Sequence, residues 1–129
     1  TFVTGHDQLG DTPSSLDWES ISKGSQVLVV YMGMKHIAQI AQKLISAGRS
    51  ANEPVAVVTN ATTPHQQVLE TTLGTVVEDV AASGMEPPAI FCFGRSVLMR
   101  QVLDWQGQAA GIAPRDLDPL GRGRPAESA

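Results

Sequence analysis

The sequence has a single cysteine, Cys92, in 129 residues. One thiol allows neither an intramolecular disulfide nor a cysteine-based zinc cluster, and such usage fits a reducing, cytoplasmic setting. No apolar run approaches the ~18 residues that a membrane-crossing helix needs, and no signal-peptide pattern is present. Runs of Lys and Arg are missing too. With a net charge of −4, the chain offers no bulk surface for nucleic-acid phosphates. GxGxxG, Walker, GxSxG and HExxH motifs are all absent, as are internal repeats. His6, His36 and His65 share no metal-ligand spacing. Asp7, Asp11, Asp17 and Glu19 form an acidic opening, but no pair of them fixes general acid/base geometry. No catalytic residue and no metal site is therefore expected from these residues. The chain has no initiator Met and opens at Thr1 on a strand-like segment; that reads as a piece of something longer.

What is present is organised around Val27 to Gly48. Val27-Leu-Val-Val-Tyr31 is a continuous apolar, β-branched run. Without alternation it reads as a strand covered on both faces. A tight Met32-Gly33 turn follows. Ile37, Ile40, Ala41, Leu44 and Ile45 then form the i, i+3, i+4, i+7, i+8 stripe of an amphipathic helix. Gly48 is a natural stop. A strand feeding a helix puts the turn at the carboxyl end of the strand, where open α/β sheets bind ligands. Gly33 has no Cβ to keep a ligand or a backbone away.

The remaining elements build outward from this unit. Phe2-Val3-Thr4 reads as a first strand ending at Gly5-His6, and a polar loop runs from Asp7 to Ser15. Leu16 to Ile21 could form a helical turn capped by Ser15 and anchored to the core by Trp18. Pro54 to Thr59 is a third strand, expected parallel to the second and beside it. Val68 to Leu73 is a fourth, antiparallel to the third because the connection is too short for a crossover helix. Thr75-Val-Val-Glu78 reads as a capping box, opening a helix that buries Val76, Val77, Val80 and Ala81 and stops at Gly84. Pro87-Pro88 block further helix. Ala89 to Phe93 is a fifth strand, and Val97 to Leu103 a last helix with Trp105 as a closing plug. The pattern then dissolves into Gly, Pro and mixed charge, so residues 106–129 read as a flexible tail after a domain of residues 1–105. The fold class is α/β, with a five-stranded mixed sheet flanked by helices.

Two stretches stand out as a ligand wall. Met32 to Met34 follow the second strand, and the Asn60-Ala61-Thr62-Thr63-Pro64 loop follows the third. Small Ala61 leaves room, and threonine hydroxyls can hydrogen-bond. Plain core packing and an ordinary turn explain the same residues equally simply. Cys92, inside an apolar strand, reads as inert.

A resemblance adds what spacing cannot. Phe2-Val-Thr-Gly-His6, Asp17-Trp18, Leu28-Val-Val-Tyr-Met-Gly33, Pro54-Val-Ala-Val-Val58, Ala61-Thr62 with Gln66, Thr71-Thr-Leu73, Pro88-Ala-Ile90 with Gly94, and Leu103-Asp-Trp105 occur in that order. Together they resemble the C-terminal half of the tetrapyrrole methylase family, on the branch that methylates uroporphyrinogen III. The resemblance implies an S-adenosyl-L-methionine-dependent C-methyltransferase making precorrin-2 for sirohaem or cobalamin, active as a homodimer. It implies that Met32-Gly33, Ala61-Thr62 and Ala89-Ile90 lie on the methyl donor, and that Thr4-Gly5-His6 lie towards the substrate. The family's glycine-rich GPGDP-type loop and its acid/base residues have no counterpart here, so one wall of a site is expected, inactive alone. Two other readings stay open: a methylase of a later precorrin, and a non-catalytic ligand-binding or dimerisation module.

Overall fold

The computed structural model describes residues 1–5 and 16–121. His6, the expected loop from Asp7 and the expected Ser15 cap lie outside them. The chain divides into two compact units, Thr1–Val97 and Leu98–Ala129.

The first unit is a five-stranded mixed sheet with helices. In chain order its elements are β1 (Phe2–Thr4), α1 (Trp18–Gly24), β2 (Leu28–Tyr31), α2 (Ile37–Ser46), β3 (Pro54–Thr59), β4 (Gln67–Thr72), α3 (Val76–Ser83) and β5 (Ala89–Phe93). The sheet order is β1-β2-β5-β3-β4. β1 pairs parallel with β2, and β4 pairs antiparallel with β3. β3 does run in the direction of β2, but it is not its neighbour. β5 lies between them, antiparallel to both. The crossover through α2 thus skips one strand position, and the most apolar late segment of the chain fills it.

Register explains the core. Val3, Val30, Phe91 and Val57 lie in one row across the sheet, and Leu28, Phe93 and Val55 in the next. These side chains share one face and join a single cluster with Trp18 of α1, Ile40 and Leu44 of α2, and Val76 of α3. Ile40 and Leu44 are fully buried, each contributing about 1.5–3 kcal/mol. The opposite face is different. Tyr31 is 41% exposed and Phe2 72%, while Val29, Ile90, Cys92 and Val58 are half-buried. The expectation that β2 is covered on both faces fails, because α1, α2 and α3 all pack on the same side. Its unbroken apolar run hides an alternation in burial.

Helix ends show further differences. Asp17 caps α1, its Oδ1 accepting from Ser20 N at 3.0 Å. The expected capping box at Thr75 does not form. Thr75 keeps helical dihedrals, and its hydroxyl pairs with Thr71 at 3.0 Å and Thr72 at 2.8 Å at the end of β4. Val77 and Ala81 face outward, leaving Val76 and Val80 as the buried pair of α3; Ile45 of α2 is likewise 41% exposed. Gly84 ends α3 in the left-handed conformation, as expected.

Near the end of the chain, the expected helix from Val97 to Leu103 is a 3-10 segment, Arg95–Met99, followed by a short α4, Arg100–Leu103. Its start lacks a side-chain cap, and Val97 N bonds Gly94 O at 3.1 Å in the i→i+3 pattern. α5, Trp105–Ala109, extends into the stretch read as tail, with Asp104 Oδ1 capping Gly107 N at 3.0 Å. Trp105 is 52% exposed and plugs no core.

A buried ion pair ties the amino ends of the strands together. Arg49, in the α2–β3 connection, meets Glu53 with Nε at 2.7 Å and Nη2 at 2.8 Å, in a fork geometry. Its Nη1 also donates to the carbonyls of Ser22 and Ser25 at 2.9 and 2.8 Å, at the α1–β2 connection. The two side chains are only 7% and 15% exposed. Replacing Arg49 by Met strands the Glu53 carboxylate and both carbonyls. Urea unfolding should show a loss of about 3 kcal/mol, and an unchanged midpoint would refute the clamp.

Candidate functional site

Because β5 runs antiparallel between β2 and β3, its start lies between the carboxyl ends of the other two. Tyr31 pairs with Ile90, Val58 with Ile90, and Thr59 with Ala89. Two strand spacings separate the ends of β2 and β3, about 10 Å. A crevice of ≈ 980 Å³ opens there, large enough for a nucleotide-sized ligand. It is lined by Tyr31, Met32, Met34 and Lys35 after β2, by Val58, Asn60, Ala61 and Thr63 after β3, and by Pro87, Pro88, Ala89 and Ile90 entering β5.

Both flanking turns are bent into a conformation that L-residues rarely adopt. Met32 has φ 56°, Asn60 49° and Thr62 66°. Side chains with a Cβ lose about 1–2 kcal/mol there, so other contacts must hold them. At Met32 the holder is Gly5. Its N–H donates to Tyr31 O at 2.6 Å. A Cβ on it would lie 2.5 Å from Gly33 Cα and 2.6 Å from Met32 O. At the second turn, Gln66 Oε1 accepts from Thr62 N at 2.7 Å. The hydroxyls of Thr62 and Thr63 donate to Ala61 O at 2.6 Å and Asn60 O at 2.7 Å. Those donors, expected to be offered to a ligand, are spent on the shape of the loop.

The structure brings Met32, Ala61, Ala89 and Ile90 together along one crevice. Gly33 and Thr62 do not line it. Gly33 is buried beneath the turn, where a Cβ would lie 3.0 Å from Val30 Cγ1 and 3.3 Å from Phe91 Cδ2. Thr4 and Gly5 lie behind the Met32 turn rather than on the crevice, and His6 lies outside the described residues. Tyr31, Lys35, Val58 and the Pro87-Pro88 pair went unrecognised as lining in the sequence. The prolines read only as a helix block, yet an X-Pro pair directly before a strand at a ligand-facing edge was a usable signal.

The crevice is chemically spare. Among the described residues, Lys35 is its one charged lining residue and no carboxylate lines it. Among the described residues no group of three or more His, Cys, Asp or Glu side chains could hold a metal. Burial pushes the Cys92 thiol up from its ordinary value, so at neutral pH it stays protonated and a poor nucleophile. Such a wall can bind and orient; among the described residues, no carboxylate or imidazole lines it. No helix among the described residues is long and apolar enough to cross a membrane.

An apolar crevice where two parallel strands end is where open α/β sheets bind ligands. The chain belongs to the family of Tetrapyrrole (Corrin/Porphyrin) Methylases, whose model matches residues 1–77. It is 54% identical over 111 residues to a uroporphyrinogen-III C-methyltransferase of Sinorhizobium sp, covering 86% of this chain and 40% of that one. It is 38% identical over 104 residues to the siroheme synthase of Nitrosomonas europaea, covering 81% of this chain and 22% of that one. The chain thus spans well under half the length of these relatives. Among solved structures, the uroporphyrin-III C-methyl transferase of Thermus thermophilus complexed with S-adenyl homocysteine superposes with a TM-score of 0.64 at 30% identity, over 74% of this chain and 40% of that one. Cobalt precorrin-4 methyltransferase, at 20% identity and TM-score 0.66, shares the fold.

Gly5 gives the sharpest test of how the Met32 turn is held. Gly5→Ala drives a methyl group into backbone and should cost about 2–4 kcal/mol in urea unfolding, with a shifted Met32 methyl signal by NMR. Gly24→Ala, where nothing lies within 4 Å, should be neutral or slightly stabilising. Equal behaviour of the two variants would show that Gly5 is not the brace.

Proposed function

We propose that this chain supplies one wall of the S-adenosyl-L-methionine site of a uroporphyrinogen-III C-methyltransferase. The complete enzyme would methylate two ring carbons of uroporphyrinogen III to give precorrin-2 for sirohaem or corrinoid synthesis, as a cytoplasmic homodimer. One observation carries the reading. Met32, Ala61, Ala89 and Ile90, the positions that the resemblance assigns to the donor, line a single crevice at three strand ends. The 54% identity to a uroporphyrinogen-III C-methyltransferase favours this substrate over a later precorrin, where the likeness is one of fold.

The crevice suits such a donor. Its volume of ≈ 980 Å³ accepts an adenosyl group with its amino-acid arm. The Ala61 side chain is a single methyl, leaving floor space, while Met32 and Met34 present soft apolar surface that excludes water. When bound, the donor supplies an electrophilic methyl carbon on a sulfonium. The chain's own part is positional: strand ends of fixed register hold the ligand against a second reactant. Placement of this kind is worth up to about 7–11 kcal/mol of barrier. Acid/base work would fall to residues elsewhere in the complete enzyme.

The test joins the full chain to the upstream half of the Sinorhizobium relative. That protein should bind S-adenosylhomocysteine by calorimetry and add two methyl groups to uroporphyrinogen III by mass spectrometry. Ala61→Leu should lower donor affinity at least about tenfold by bulk. Unchanged affinity in that variant would refute the placement. A joined protein that folds and binds no donor would favour the non-catalytic module instead.

A further inference from the structure

Lys35 has no role in the reading so far. It follows the Met32-Gly33 turn in the 3-10 segment Met34–His36, its side chain is exposed, and it reaches the mouth of the crevice. Among the described residues it enters no ion pair. Among the described residues, no Asp or Glu lines the crevice beside it. A cation over low-dielectric walls favours anions there.

We infer that Lys35 anchors a carboxylate of the bound ligand, fixing which end of the ligand faces the mouth. The inference rests on the methyl-donor reading and sharpens it. A sulfonium beside the ammonium is repelled, which favours an anionic group of the ligand as the one nearest Lys35. Two sources offer the same chemistry: the amino-acid carboxylate of the donor, and the acetate and propionate side chains of the tetrapyrrole. A lysine suits either source. Its ammonium is a point charge with three rotatable donors on a flexible stem, and it needs no planar fork to match. An ion pair formed only when ligand arrives also orients the ligand without adding to the stability of the free protein.

The joined protein described above tests this with Lys35→Met, which keeps the apolar stem, and Lys35→Arg, which keeps the charge. Because Lys35 is exposed and unpaired among the described residues, thermal unfolding of both variants should match the parent. Calorimetry would compare S-adenosylhomocysteine with 5′-methylthioadenosine, which lacks the amino-acid arm. A loss of about three- to tenfold for the first ligand and none for the second in Lys35→Met assigns the donor carboxylate. Unchanged donor binding, with KM for uroporphyrinogen III raised by a similar factor and kcat kept, assigns the tetrapyrrole carboxylates. In either case Lys35→Arg should recover most of the loss. Equal losses for both adenosyl ligands, or no change in any of these quantities, overturns the inference while leaving the donor site standing. A parent protein that binds no donor overturns the donor reading, and this inference falls with it.

Discussion

The placement of β5 is the constraint from which the site follows. Phe91 and Phe93 are fully buried, and β5 pairs along its length with β2 on one side and β3 on the other. An antiparallel strand in that slot brings its own start to the edge where its neighbours end. A parallel strand would have brought a third carboxyl end, and β3 next to β2 would have left no gap. The interposed strand spreads the Met32 and Asn60 turns apart and floors the space between them with Ala89 and Ile90. Moving Phe91 by one residue would turn it to the half-exposed face and empty the core. The register that shapes the crevice is therefore the register that buries the aromatic side chains, and the site inherits the rigidity of the core.

The strain is concentrated at this edge. Among the described residues, those other than glycine with positive φ, Met32, Asn60 and Thr62, all lie in the two crevice turns. Gly5 braces the first turn, and Gln66 and the two threonine hydroxyls brace the second. The Arg49–Glu53 pair does comparable work at the opposite edge, where it locks the connections that enter β2 and β3. The sheet is thus pinned at one end by charge and shaped at the other by close backbone approach. Strained turns held in this way present their backbone in one conformation, which is what a site that works by positioning requires.

Much of this was readable before any coordinates. The β2 run, the α2 stripe and the Gly84 stop follow from local rules that tertiary packing did not override. The two loops flanking the crevice were found because strand ends are where such sheets bind. What escaped was non-local. Nothing between residues 27 and 59 says that a strand formed from residues 89–93 will separate β2 from β3. The unbroken apolar run in β2 hid that helices cover only one of its faces. The capping box is the local exception: Thr71 and Thr72, four and three residues earlier, take the Thr75 hydroxyl. Lys35 escaped because a charged residue beside a turn looks solvated until the crevice beneath it is visible.

The composition of the crevice sets what it can contribute. Asp and Glu outnumber Lys and Arg by 13 to 9 in the chain, yet among the described residues no carboxylate lines the crevice. A wall meant to shuttle protons would place a titratable group there with a shifted pKa. Burial pushes the Cys92 thiol up from its ordinary value, towards inertness. Under the proposed reading, methyl transfer from a sulfonium would make modest demands on such a wall. The carbon is already activated, the leaving thioether is neutral, and the barrier turns on distance, alignment and the exclusion of water. Apolar side chains on fixed strand ends meet those demands, and a carboxylate in the crevice would weaken them by pairing with the sulfonium and pulling it off line. Under that reading, the spareness of the described lining suits the chemistry.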